Sequence, residues 1–213
     1  MTKAILYSFR RCPYAMRARM ALRVSQLDYE HREVLLREKP EHMVEVSPKG
    51  TVPVFIRSNG VVIDESLDLL IFALTQNDPN GWLDCDQAEA KELIDANDGP
   101  FKHHLDRYKY ASRYNDVARG DVDLSHRAAA EAHLNVLESR LEKHPYLLGL
   151  KQSYADIAIF PFIRQFANTD LDWWENTPYP KLQQWLNHHI TSDLFKTIMT
   201  KFPQWTSPEE KTV

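Results

Sequence analysis

A short apolar run, Ala4 to Phe9, is followed by two arginines, then Cys12 and Pro13. The run is rich in β-forming residues and reads as a buried strand. Pro13 suits the first position of a helix, where its ring presets φ and the N–H it lacks is not needed. Beyond it Tyr14, Ala18, Ala21, Leu22 and Ser25 share one face at helical spacing, with Met16, Met20 and Val24 in a second apolar row. Arg17, Arg19 and Arg23 are left for the wetter side. Cys12 therefore stands between a strand and a helix N-terminus, where exposed N–H groups favour an anion. A free cysteine titrates near ~8.5, and helix N-termini with basic neighbours lower this to roughly 3.5–7.5. The thiolate is the nucleophile, so the stretch suits sulfur chemistry. A cysteine at a strand end also serves as a small buried hydrophobe, and only the downstream motifs choose between the two.

The chain has 213 residues, enough for one large or two small domains. No apolar run approaches the ~20 residues of a membrane span. Arg10 and Arg11 interrupt the first apolar run, so it does not read as a signal peptide. Two cysteines argue against a disulfide framework and for a reducing compartment, so a cytoplasmic location is expected. Residues 1–40 hold nine Lys/Arg against four Asp/Glu, within a chain of net charge -4. These arginines are spread along a helix rather than packed in a tract. They suit a small anionic ligand near Cys12 at least as well as nucleic acid, with a solvated helix face as the plain reading for Arg19 and Arg23.

After the first helix, Tyr29 to Leu36 reads as a second strand, parallel to the first since a helix separates them. Residues 40–46 form a short helix and Val52 to Arg57 a third strand. Asn59-Gly60 is a two-residue hairpin signal, making residues 61–63 an antiparallel fourth strand. Leu67 to Thr75 is an amphipathic helix with Ser66 as its N-cap. The order is β-α-β-α-β-β-α. Residues 79–86 read as a linker, and beyond them no strand signal follows. Leu93, Phe101, Leu105 and Tyr108 keep a helical face, with a kink expected at Gly99-Pro100. Ser125 is a candidate start for the stripe Ala130, Leu134, Leu137 and Leu141. Ser153-x-x-Asp156 has capping-box spacing before the wholly apolar run Ile157 to Ile163, which makes Asp156 a folding residue. Leu182, Trp185 and Leu186 mark another helix, and Leu194, Ile198 and Phe202 one more. The polar tail from Ser207 is expected to fray.

With these elements in place the chain resembles the glutathione transferase superfamily over essentially its full length. Cys12-Pro13-Tyr14-Ala15 is similar to the cysteine-type members: omega-like transferases, dehydroascorbate reductases and glutathionyl-hydroquinone reductases. Lys39-Pro40-Glu41, Ser47-Pro48-x-Gly50-x-Val52-Pro53-Val54 and Glu65-Ser66 keep the family spacing. The resemblance implies an α/β thioredoxin-like domain with a mixed four-stranded sheet (1–78), a linker (79–86) and an all-α helical bundle (87–213). It implies a homodimer, glutathione as cosubstrate and no metal, no nucleic acid and no membrane partner. Val52 would pair its backbone with the cysteinyl unit of glutathione, as a strand edge does, and Pro53 would be cis. Glu65 would accept the γ-glutamyl ammonium. Ser66, with the helix it opens, would hold the γ-glutamyl carboxylate. Lys39 would meet the glycyl carboxylate and Tyr14 would pack beside the thiol.

Cys12 is then the catalytic residue of a thiol transferase or reductase. Ala15 removes the second thiol of a Cys-x-x-Cys pair, so a monothiol cycle through a glutathione mixed disulfide follows. Cys85 reads as a packing residue. One rival is a conjugating transferase acting on electrophiles, for which the hydroxyls of Tyr7 and Ser8 stand near the site. Another is a non-enzymatic scaffold of the same superfamily. Tyr108 and Tyr110, with Arg107 and Arg113, are candidates to line a second-substrate pocket, helix packing being the alternative. The pairs His103-His104 and His188-His189 read as surface or groove residues, because neighbours on a helix diverge by about a hundred degrees.

Overall fold

A computed structural model describes residues 3–207. The described chain divides into two compact units. One comprises the residues up to Asn80 together with those from Ser192 onward, and the other is Gly81–Thr191. In the first unit the order is β1 (Ala4–Ser8), α1 (Pro13–Val24), β2 (Tyr29–Glu33), α2 (Glu41–Val46), β3 (Val54–Ile56), β4 (Val62–Ile63) and α3 (Ser66–Gln76). The strands lie in the order β2-β1-β3-β4. β1 runs parallel to β2, with Ala4 opposite Tyr29, and antiparallel to β3, with Leu6 opposite Phe55. The sheet is mixed and four-stranded, as expected. Between β3 and β4 the Arg57–Val61 pair closes a loop of three residues, 58–60, rather than the two expected. Gly60 (φ +85°) takes its left-handed position, and Arg57 N–H reaches Val61 O at 2.8 Å. The N-cap position of α3 is Glu65, so Ser66 is the first helical residue rather than the cap.

Arg17 and Arg19 do not face water. Arg17 is 0% and Arg19 2% exposed, and both sit inside the unit. Arg19 Nη1 donates to Ser8 Oγ (2.5 Å) and Phe9 O (3.3 Å), and its Nη2 donates to Arg10 O (2.7 Å). These carbonyls follow β1 and have left the strand ladder. The small side chains of Ala15, Ala18 and Ala21 let α1 lie close enough for arginine stems to fill the remaining depth.

The helix α10 (Asp193–Ile198) packs on α1. It ends before Phe202, which instead stacks on His31 at 4.3 Å between centroids. Gln204 then forms a parallel bridge with Glu33, and Trp205 N–H donates to Glu33 O at 2.8 Å. The Arg32 guanidinium lies 4.2 Å over the Trp205 ring. Past Ser207 the tail expected to fray lies outside the described residues.

The second unit holds α4 (Gln87–Ala96), α5 (Lys102–Lys109), α6 (Leu124–Leu141), α7 (Tyr154–Ala167), α8 (Leu171–Glu175) and α9 (Pro180–Thr191). The kink expected at Gly99-Pro100 is a π-helical turn, Asn97–Phe101. Pro100 has no N–H for the α ladder, and the wider turn absorbs the gap. Asp123, not Ser125, caps α6, its carboxylate accepting from Ser125 N–H at 3.0 Å. α7 is buried on nearly every side and opens with the expected capping box. Asp156, 0% exposed, accepts from Ser153 N–H and Oγ (both 2.9 Å), Leu147 N–H (3.0 Å) and Trp185 Nε1 (2.9 Å). Burial pushes its carboxyl up, and the four donors pull against it. No helix among the described residues is long and apolar enough to cross a membrane.

Two measurements test this account. Replacing Asp156→Asn leaves donors facing an amide, and the expected cost is about 2–4 kcal/mol. It should appear as a lower urea midpoint at unchanged slope, and an unmoved midpoint would contradict the four-donor role. Burial also pushes two imidazoles down, His133 to about 4 and His189 to about 3. His189 lies flat on Phe160, centroids 4.7 Å apart. Below the unfolded value near ~6.5 the unfolded chain binds protons that the folded chain refuses, so stability falls as pH falls. The slope for each histidine is about 1.4 kcal/mol per pH unit, ending near its folded value. In acid unfolding curves His189→Gln should flatten that limb, and an unaltered limb would reject the assignment.

Candidate functional site

Cys12 occupies the N-cap position of α1, with Pro13 at the first helical position as expected. Cys12 N–H donates to Phe9 O (3.0 Å), and its own carbonyl accepts from Met16 N–H (2.9 Å). The thiol is half-buried and its Sγ lies 3.7 Å from Val52 O. The Val52–Pro53 peptide is cis. Both residues are buried, and the Val52 backbone sits beside the sulfur at the entry to β3.

The first unit also gathers charge of both signs at the start of α3 and along the turn before Val52. Ser66 is buried at the start of α3, and Arg17 Nη1 donates to its Oγ at 3.4 Å. The Arg17 guanidinium also lies 5.7 Å from the ring centre of Tyr14, which is half-buried. Glu65 is exposed and holds Lys49 Nζ at 2.5 Å. Lys49 also faces Asp64 at 3.4 Å, and Asp64 accepts from Ser47 Oγ at 2.6 Å. Hydrogen bonding from Ser47, more than from Lys49, holds the Asp64 carboxyl below its usual range. Lys39 is exposed but lies along the turn at Gly50 (φ +60°), where a Cβ would meet its Nζ at 3.4 Å. That turn leads directly to Val52.

Sequence reasoning missed two of these residues. The motif Ser47-Pro48-x-Gly50 passes over Lys49, and helical patterning places Arg17 on the wetter side. The run of alanines on α1 was the available signal for Arg17, since small residues on a buried face leave depth that a long side chain can fill. Two other polar groups near Cys12 in sequence are taken up by partners inside the protein. The Tyr7 hydroxyl is buried at 0% exposure, receives Arg32 Nη1 at 2.7 Å and meets His42 Nδ1 at 2.8 Å. Burial pushes its phenol up, with Arg32 pulling part of the way back. Ser8 is equally buried, and its hydroxyl accepts from Arg19.

Tyr108 and Tyr110 lie in the second unit. Tyr108 is fully buried, its ring 5.1 Å from that of Phe166. Tyr110 is half-buried, accepts from Gln165 Nε2 at 3.2 Å and carries the Arg113 guanidinium 4.2 Å over its ring. Cys85, also in that unit, faces Trp82 O at 3.8 Å.

Comparisons with known proteins bear on the fold and the family. A model of the glutathione S-transferase N-terminal domain matches residues 6–81, and one of the C-terminal domain matches residues 88–188. Glutathione S-transferase U19 of Arabidopsis thaliana is 27% identical over 194 residues, covering 86% of this chain and 84% of that protein. Mouse glutathione S-transferase omega-1 is 39% identical over 62 residues, 29% of this chain and 26% of that one. Among solved structures, glutathione transferase Omega 3C from Trametes versicolor aligns with a TM-score of 0.74 at 22% identity, covering 96% of this chain and 92% of the other. With both halves of the fold matched, and the matches spanning most of its length, the chain belongs to the glutathione transferase superfamily.

Proposed function

We propose that this protein is a glutathione-dependent thiol transferase or reductase with Cys12 as its nucleophile. The observation that carries the reading is the half-exposed Cys12 sulfur at the start of α1, 3.7 Å from the Val52 carbonyl. The helix N-terminus favours its thiolate. The thiolate attacks the glutathionyl sulfur of a mixed disulfide. The bond between the two sulfurs of the substrate breaks, and the substrate leaves as a thiolate that takes a proton from water. Cys12 is left bonded to glutathione. A second glutathione thiolate attacks that sulfur, releasing glutathione disulfide and restoring Cys12. Ala15 stands where a resolving cysteine would be, so the second thiol must come from outside the chain.

The binding groups follow the same logic. Val52 offers backbone to the cysteinyl unit, with cis Pro53 shaping the turn. Ser66, the α3 N-terminus and buried Arg17 favour the γ-glutamyl carboxylate. Glu65 takes the γ-glutamyl ammonium, and Lys49 already supplies it with an ammonium in the free protein. That pair is exposed and worth about 0–1 kcal/mol, so a ligand displaces it at little cost. Lys39 meets the glycyl carboxylate, and Tyr14 walls the thiol. The protein acts as a homodimer in the cytoplasm.

The conjugating alternative calls for a hydroxyl aimed at the thiol of glutathione. Tyr7 and Ser8 are both buried and committed to Arg32, His42 and Arg19, which weighs against it. The Cys85 thiol belongs to the second unit and has no part in the cycle.

Replacing Cys12→Ser should lower reduction of a glutathione mixed disulfide by more than about a hundredfold, while the fold and glutathione binding persist. Treatment with glutathione disulfide should add one glutathione mass at Cys12 and leave Cys85 largely unmodified. Retention of full reductase activity in Cys12→Ser would sink the mechanism, and conjugation of an aromatic halide in the wild type without mixed-disulfide reduction would favour the alternative. For binding, glutathione at a hundredfold excess over its dissociation constant should add about 2.7 kcal/mol. Glu65→Ala should remove most of the resulting melting-temperature shift and Lys49→Met little of it. Equal loss in both variants would show that the two act as one group.

A further inference from the structure

Three histidines from two helices of the second unit converge on one point. His103 and His104 are adjacent on α5, and His126 lies in the first turn of α6. Their ring nitrogens include one from each residue that all lie within 4.8 Å of one another. The sequence separates His126 from the other two, and helix spacing predicts that the adjacent pair diverges, yet the His103 and His104 rings stand 5.1 Å apart. The fold supplies the third ligand. Asp123 N–H donates to Tyr108 O at 3.2 Å, which fastens the start of α6 to α5, and the Asp123 cap fixes the turn that carries His126.

We propose that His103, His104 and His126 form a binding site for one divalent transition-metal ion of the zinc, copper and nickel group. Imidazole is the ligand these ions share, and three protein ligands leave a position for water. The hydrogen bonding fixes which of these nitrogens are unprotonated. His104 Nδ1 and His126 Nδ1 are 2.8 Å apart, so they share one proton and one of the two nitrogens is bare. Arg107 Nη1 lies 3.0 Å from His103 Nδ1 and can only donate, so that nitrogen is bare as well. Two nitrogens on a tetrahedral zinc at 2.0–2.1 Å stand ~3.3 Å apart. An entering ion therefore replaces the shared proton and spreads the His104–His126 contact by about half an ångström, within reach of small ring rotations. The displaced proton moves through water to Nε2 of the ring that held it, so both imidazoles stay neutral. Arg107 competes for the His103 lone pair and repels the ion, while its other contacts, Tyr114 at 4.5 Å and the His103 carbonyl at 3.4 Å, hold it once displaced. The site uses none of the sulfur chemistry proposed for Cys12.

The test is titration of the complete protein with Co2+, followed by visible absorption, with Zn2+ as competitor. One Co2+ per chain should bind with a nitrogen–oxygen spectrum, and Zn2+ should displace it. His126→Gln and His104→Gln should each weaken binding by at least about tenfold, since even groups behind a ligand cost 10–100-fold. His144→Gln, an exposed histidine outside the cluster, should change nothing, and Arg107→Gln should tighten binding several-fold. Binding that survives His126→Gln, a thiolate charge-transfer band, or no saturable binding would each overturn the proposal. Carbethoxylation of the unaltered protein gives a readout that needs no variant. Zn2+ should protect His103, His104 and His126 but not His144, and equal labelling with and without the ion would reject the site.

Discussion

A guanidinium with almost no access to water holds the turn that carries Cys12. Arg19 reaches from the middle of α1 to Ser8, Phe9 and Arg10, where the chain leaves β1 and its carbonyls have lost their strand partners. Burial pushes the pKa of Arg19 down, and Glu33 pulls it back. Glu33 in turn takes the Arg10 N–H at 2.6 Å and His31 Nε2 at 3.0 Å. Removing such an arginine would leave the Arg10 carbonyl without this donor, at a cost of about 1–3 kcal/mol, while Phe9 O would keep the Cys12 N–H. The turn that carries the sulfur is therefore held by a charge placed two helical turns away.

The same economy appears in the second unit. Asp156 joins the start of α7, the loop at Leu147 and α9 through Trp185. One carboxylate there does what several separate caps would do elsewhere. A charge buried with all its acceptor positions filled gives a unique arrangement, because a shift of any one element orphans a donor in the interior. Two further buried imidazoles, His133 and His189, add aromatic packing to that core at the expense of acid tolerance.

Sequence legibility followed the range of the forces involved. Strands, helices and the Cys-Pro junction are written in local spacing, and they were readable. So was the capping box at Ser153 and Asp156, which spans a single turn. Arg17 and Arg19 were misjudged because helical patterning places charges outside, while only the packed tertiary structure shows three alanines leaving room for two guanidiniums. Asp123 against Ser125 at α6 is a two-residue ambiguity between good capping residues, whereas Glu65 holds the α3 cap position without a side-chain capping bond and Ser66 falls inside the helix. Lys49 beside Glu65, and His126 beside His103, join residues far apart in sequence, and no spacing rule brings them together.

The strand-like contact between Trp205 and Glu33 has a consequence for how the chain is made. The first unit is discontinuous, since its α10 and the single bridge that Gln204 makes to Glu33 come from beyond the whole helical unit. During synthesis the outer edge of β2 leaves the ribosome early and waits for more than 160 residues before Trp205 emerges to cover it. An open strand edge in that interval is a template for wrong pairing. Glu30 and Arg32 at that edge, paired to each other at 2.8 Å, keep it charged while it waits. A nascent chain stalled before Trp205 would hold a formed thiol turn beside an unguarded sheet, so completion of the edge is a late, chain-length-dependent event.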